Sequence, residues 1–239
     1  MIDAAIARRD SVDGCMVIGL AGGVAAGKST IADEVARLLE TDHGLTVAVV
    51  STDGFLFPNA TLAAMGILDR KGFPESYDRD AMHAFLDAVR AGESTTVPVY
   101  DHHTYDIVDA VTTVEVVDVV VLEGVNALRL ADRFDLALYL HAEEPDLREW
   151  FTVRAFGFRD AAHTTPSPFF SPWVDATDEE FRAMATAAWE LVNRPNLVEC
   201  IEPTRAIADM VVVKAGDHTI LSVEQRRDHR TEEGTHGRG

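Results

Sequence analysis

Apolar residues along this chain fall into short unbroken runs that alternate with stretches of helical period. Met16 to Ala21 is such a run, stopping at glycines, and Ser29 to Glu40 then carries Ile31, Val35, Leu38 and Leu39 at helical spacing. The order is strand, tight loop, helix. Thr46 to Ser51 is a β-branched run ending in Thr52-Asp53-Gly54. Asp78 is placed to cap a helix over Arg79 to Ala91, whose Met82, Phe85, Leu86 and Val89 form one stripe and which Gly92 would stop. Val116 to Leu122, ending in Glu123-Gly124, and Leu136 to Leu140, ending in His141, read as two more strands. Pro145 opens a helix that continues from Leu147 to Phe158, and another runs from about Asp178 to Leu191. Pro166, Pro168 and Pro172 mark a loop between them, and Met210 to Val213 is a last strand.

Strands alternating with helices predict an α/β fold, a mostly parallel sheet flanked by helices, in a single domain over residues 1–224. From Gln225 to Gly239 the chain is charged and without apolar period, which predicts a disordered tail. Parallel sheets bind ligands at the carboxyl ends of their strands, so Asp53 and Glu123, each at such an end, gain interest.

Charge narrows the ligand classes. Forty acidic residues against twenty-one basic ones give a formal charge of -19, and the only lysines are Lys28, Lys71 and Lys214. General affinity for nucleic-acid backbone or anionic membrane is not expected of such a charge, so an anionic small molecule must be met by a local site. Cys15 and Cys200 form neither a disulfide framework nor a CxxC pair and read as buried, reduced thiols. The apolar run from Cys15 to Ala26 is too short to span a membrane, and Arg8-Arg9 followed by Asp10 and Asp13 is a poor signal-peptide flank. The expectation is a cytoplasmic protein acting on a small molecule.

Gly22-Gly23-Val24-Ala25-Ala26-Gly27-Lys28-Ser29, followed by Thr30, fits G-x-x-x-x-G-K-[ST] between a strand and a helix. Glycines let backbone N–H groups approach phosphate oxygens, and the helix N-terminus adds a favourable dipole. Lys28 would bridge the β- and γ-phosphates of ATP or GTP, and Ser29 would ligate Mg²⁺. Of Asp53 and Glu123, one would receive or position an acceptor hydroxyl and the other would hold Mg²⁺. Arg154 and Arg159 are about 140° apart on a helix, so they need not both face the nucleotide. Asp101-His102-His103 lacks a companion set of metal ligands and reads as polar surface or pocket lining.

Longer motifs carry a resemblance. Ser51-Thr52-Asp53-Gly54-Phe55-Leu56-Phe57-Pro58-Asn59, Arg70-Lys71-Gly72-Phe73-Pro74-Glu75-Ser76-Tyr77-Asp78, Val97-Pro98-Val99-Tyr100, Tyr105-Asp106-Ile107-Val108, Glu123-Gly124-Val125-Asn126 and Pro203-Thr204-Arg205 occur in one order. That set, spanning about Met16 to Ile220, resembles the prokaryotic type I pantothenate kinases, whose P-loop kinase fold is shared with phosphoribulokinase and uridine kinase. The resemblance implies ATP phosphates and Mg²⁺ on Lys28 and Ser29, Asp53 as catalytic carboxylate, and Arg154 stabilising the transferred phosphoryl. It also implies Tyr100 and His102 in the pantothenate pocket, His218 near the adenine, and a homodimer.

The sequence departs from that family at Phe151 after Trp150, where a tyrosine is usual, and at Cys200, read as standing for an asparagine before Ile201-Glu202-Pro203-Thr204-Arg205. Both positions are expected to line the substrate pocket, and both changes remove hydrogen-bonding capacity. Asp33 replaces an arginine that meets the phosphates of coenzyme A, and most of the family's segment ahead of the P-loop has no counterpart. Three readings stay open: a pantothenate kinase, a relative phosphorylating a nucleoside, sugar or polyol, and a non-catalytic nucleotide- or coenzyme-A-binding regulator.

Overall fold

A computed structural model describes residues 1–226. The chain begins with α1 (Ile2–Arg9), β1 (Met16–Gly22), α2 (Lys28–His43), β2 (Val47–Ser51), α3 (Asn59–Met65) and α4 (Arg79–Arg90). A hairpin of β3 (Thr95–Asp101) and β4 (Asp106–Val114) leads to β5 (Val119–Glu123) and β6 (Leu136–His141). Then follow α5 (Glu144–Ala161), α6 (Asp178–Ala188), β7 (Met210–Lys214) and β8 (Ile220–Gln225).

Six strands form the main sheet in the order β2-β5-β1-β6-β7-β8, all parallel except the β7–β8 pair. Every residue of β1 and β5 is buried, as both-face coverage by helices requires of apolar strands. Register then sets the site. Glu123 on β5 lies opposite Leu20 on β1 and Ser51 on β2, so three strand ends finish at one level. The P-loop leaves β1, Asp53 follows β2 and Glu123 closes β5 along the same sheet edge.

The predicted α4 cap is present: Asp78 Oδ1 accepts from the Ala81 N–H at 2.9 Å, and Met82, Phe85, Leu86 and Val89 are the buried stripe. β5 starts three residues later than its apolar run, because Asp118 turns out to bind Thr46, accepting from its N–H and hydroxyl at 2.8 Å each. The predicted helix ending at Leu191 instead leaves α-geometry after Ala188. It continues as a π-helical turn over Trp189–Asn193, a short α-turn over Arg194–Asn196 and a second π-turn over Leu197–Ile201.

Elements without a counterpart in the hydrophobic pattern are α1, α3, the β3–β4 hairpin and β8. Strand order therefore runs through Gln225, where the tail was expected to begin, and residues 227–239 lie outside the described residues. Both cysteines are buried and free. A separate small core of Ala155, Ala162, Phe170, Phe181 and Ala185 joins α5, the proline loop and α6 above the sheet edge. No helix among the described residues is long and apolar enough to cross a membrane.

Candidate active site

The P-loop ends at Gly27, the left-handed residue (φ 89°) that precedes α2, and Ala25 is also left-handed (φ 63°). Those reversals turn successive peptide N–H groups to one side, the arrangement that cradles an anion. Lys28 lies at the start of α2, and its Nζ donates to the Gly23 carbonyl at 3.0 Å. Ser29 Oγ donates to Glu123 Oε1 at 2.9 Å, joining the loop to the end of β5. Burial pushes the Lys28 ammonium below its ordinary value and the Glu123 carboxyl above its own, and each is the main influence opposing the shift of the other. A desolvated ammonium of this kind gains when a phosphate arrives.

Val24, Ala25, Lys28, Ser29, Asp53, Glu123 and Arg154 line one cavity of about 380 Å³. Asp53 sits in a short 3₁₀ turn over Thr52–Phe55, capped by Ser51, whose Oγ accepts from the Asp53 N–H at 3.2 Å. α5 separates its two arginines as the helical angle requires. Arg154 lines the cavity, whereas Arg159 donates to Asp178 at 2.9 Å and to Asp160, with its guanidinium over Phe156 and Phe181.

The remaining walls are aromatic. Tyr100 and His102, from the tip of the β3–β4 hairpin, meet edge to face at 5.1 Å, and Phe151, Phe158, Phe169 and Phe170 close the far side. Lys71 Nζ stands 4.8 Å from the Tyr100 ring centre and 4.7 Å from that of Tyr105, and donates to Asn59 Oδ1 and the Tyr105 carbonyl at 2.6 Å each. Burial pulls its pKa down to about 8. The pocket thus has a charged pole at the P-loop and an aromatic pole under α5 and α6.

Phe151 does line this cavity, but Cys200 does not. Cys200 borders a neighbouring cavity of about 440 Å³ with Pro203, Thr204 and Met82, so the structure corrects the expectation that it contacts the acceptor. An uninterrupted α-helix would keep positions 193, 196 and 200 on one stripe. The π-turn over Leu197–Ile201 rotates less per residue and carries Cys200 off that stripe. Asn193 and Asn196 are the amides that reach the pocket. His218 lies at the β7–β8 turn, outside the cavity lining, and stacks on Trp150 at 4.3 Å between ring centres.

Lys71, Tyr105, Asn193 and Asn196 were not singled out as site residues from sequence. The signal for Lys71 was its rarity, one of three lysines in the chain; the asparagines lie beyond Leu191, where the predicted helix ended.

A P-loop leaving a parallel strand, with carboxylates at the ends of the next two strands on one side of it, β5 and β2, defines the class: a phosphotransferase of the P-loop kinase fold. The profile of the phosphoribulokinase/uridine kinase family matches residues 17–148. A pantothenate kinase of Sorangium cellulosum is 46% identical, over 88% of this chain and 72% of that protein; one of Listeria monocytogenes is 39% identical over the same shares. Among solved structures, D-glycerate 3-kinase from Cryptococcus neoformans superposes with a TM-score of 0.65 at 14% identity, covering 94% of this chain and 96% of its own. Phosphoribulokinase from Rhodobacter spheroides gives 0.52 at 13%, over 84% and 71%. These two speak for the fold. The chain belongs to the phosphoribulokinase/uridine kinase family, among its pantothenate-kinase-like members.

Proposed function

We propose that this protein transfers the γ-phosphoryl group of ATP to the primary hydroxyl of pantothenate. One observation carries the reading: Lys28, Ser29, Glu123, Asp53 and Arg154 share a single cavity with an aromatic-walled acceptor pocket. In the step itself, Asp53 accepts the proton of the acceptor hydroxyl as that oxygen bonds to the γ-phosphorus and the bond to the bridging oxygen breaks, releasing ADP. Lys28 and Arg154, which line the same cavity, hold the negative charge of the phosphoryl group in a setting where burial makes each charge count for more.

Ser29 Oγ and Glu123 Oε1, 2.9 Å apart, are hard oxygen donors that fit Mg²⁺, directly or through water. Mg²⁺ held there would neutralise β- and γ-phosphate oxygens. The protein's own task is to keep that pair, Asp53 and Lys28 in register through the aligned ends of β1, β2 and β5.

Pantothenate is favoured over other alcohols by the identity to pantothenate kinases and by the acceptor pocket, which offers Tyr100, His102, Lys71 and Asn193. With Cys200 outside the cavity, Phe151 is the one pocket position left that speaks for a different acceptor. The test is ADP release from Mg²⁺-ATP with pantothenate against a panel of nucleosides, sugars and polyols. Saturable turnover with pantothenate and none with the panel is expected. Turnover with another alcohol alone would reassign the acceptor, and no turnover with any would leave a nucleotide-binding regulator.

A further inference from the structure

All three lysines of this acidic chain lie at the nucleotide and acceptor sites, yet the proposed mechanism uses only two of them. The third, Lys214, ends β7, which is separated from β1 and its P-loop by one strand, β6, in the sheet order. Its Nζ donates to the Ala26 carbonyl of the P-loop at 2.7 Å and stands 4.7 Å from the centre of the Trp150 ring. His218, four residues on, stacks on that same ring, and Trp150 Nε1 donates to the Gly216 carbonyl at 3.3 Å. His218 is itself left-handed (φ 71°), an unfavourable conformation for a residue with a β carbon, fixed by a tight turn in which its N–H donates to Ala215 O at 2.9 Å.

The Ala26 carbonyl has a particular consequence for phosphate binding. In a trans peptide the C=O and the following N–H point in opposite directions, and no cis peptide occurs among the described residues. A donor that holds the Ala26 carbonyl therefore holds the Gly27 N–H turned the other way. Gly27 is the left-handed residue whose N–H belongs to the loop's anion-binding set, and a β carbon on it would stand 2.9 Å from Lys214 Nζ. Lys214 packs against the loop at the point where its direction reverses.

We propose that Lys214 is a positioning residue for the nucleotide, setting the Gly27 peptide for phosphate binding and tying the loop to the Trp150–His218 stack. This rests on the kinase reading and extends it. One side chain then joins the phosphate end of the site to the turn carrying the aromatic stack, so the loop is presented in its binding conformation before nucleotide arrives.

The test compares Lys214→Met and Lys214→Arg with the wild type, measuring binding of ATP, tripolyphosphate and adenosine by calorimetry, together with thermal melting. Losing a charge-assisted hydrogen bond that orients the loop should weaken ATP and tripolyphosphate about tenfold in Lys214→Met. Adenosine should stay within about twofold, because methionine still covers the Trp150 ring. Arginine, which can donate to the same carbonyl and lie over the same ring, should restore most of the loss. KM for ATP should rise more than kcat falls. Undiminished tripolyphosphate binding by Lys214→Met overturns the inference, as does an equal loss for adenosine and tripolyphosphate, or an arginine variant as weak as the methionine one. Wild-type protein that binds no ATP would overturn the kinase reading as well, a result distinct from normal ATP binding by both wild type and Lys214→Met.

Discussion

Gly124→Ala is a small change placed where the sheet edge sets the distances of the site. A β carbon at position 124 would stand 1.7 Å from Thr52 Oγ1, 2.8 Å from Thr52 Cβ and 3.0 Å from Thr52 Cγ2. Rotating the Thr52 side chain moves its hydroxyl but not its β carbon, and Thr52 is only 1% exposed, so there is no open space to turn into. The backbones must part by roughly 0.6 Å or more to restore ordinary contact. Thr52 precedes Asp53 and Gly124 follows Glu123, so the parting separates Asp53 from the Glu123–Ser29 pair. Overpacking of this kind costs about 1–3 kcal/mol, which for a chain of this size lowers Tm by about 2–12 °C. A displacement approaching 1 Å at reacting groups costs kcat up to about 100-fold. ADP-release kinetics and thermal melting read both, while ATP affinity should hold within about threefold because the P-loop lies on another strand. In a Thr52→Gly background the same substitution should cost less than about 1 kcal/mol, since the clashing atoms are gone. Unchanged Tm and kcat in Gly124→Ala, or an equal penalty in both backgrounds, would refute the reasoning.

Other outcomes follow from single side chains. Lys71 keeps its proton up to 10.5 in the unfolded chain but only to about 8 when folded, so its contribution to stability rises with pH between those values. Denaturant titrations should show that rise and lose it in Lys71→Met; KM for an anionic acceptor should climb above about pH 8 in the wild type alone. Asn193→Ala should raise KM for pantothenate about tenfold or more, whereas Cys200→Ala should leave it within about twofold, and the reverse pattern would restore Cys200 to the pocket. Coenzyme A should inhibit weakly because Asp33, exposed on α2, repels its phosphates. Inhibition that Asp33→Arg does not strengthen would contradict this.

Much of the phosphate side was legible because its signals are local. The P-loop spacing, the β-branched run before Asp53 and the apolar run before Glu123 each report a buried parallel strand with chemistry at its end, and register does the rest. The angular separation of Arg154 and Arg159 was also readable, since it needs only helical geometry. The acceptor side was harder. β3 carries Pro98 and is largely half-buried, and β4 is largely exposed, so neither shows clean alternation. β8 shows exposed Ile220, Leu221 and Val223 among polar residues and reads as the start of a tail. Cys200 went wrong because a π-turn changes helical phase without any mark in composition. Asn193 and Asn196, which precede that turn and line the pocket, were missed because the predicted helix ended at Leu191, two residues short of the first of them.

The central claim is that one cavity brings the nucleotide's terminal phosphate to a hydroxyl poised on Asp53. Single-turnover transfer of labelled γ-phosphoryl from ATP to pantothenate, compared between wild type and Asp53→Asn at equal nucleotide occupancy, tests it most directly. The account predicts phosphopantothenate from the wild type and a transfer rate about 100- to 10,000-fold lower in Asp53→Asn with ATP affinity preserved. Equal transfer rates in the two proteins, or ATP bound without transfer to pantothenate by the wild type, would contradict it.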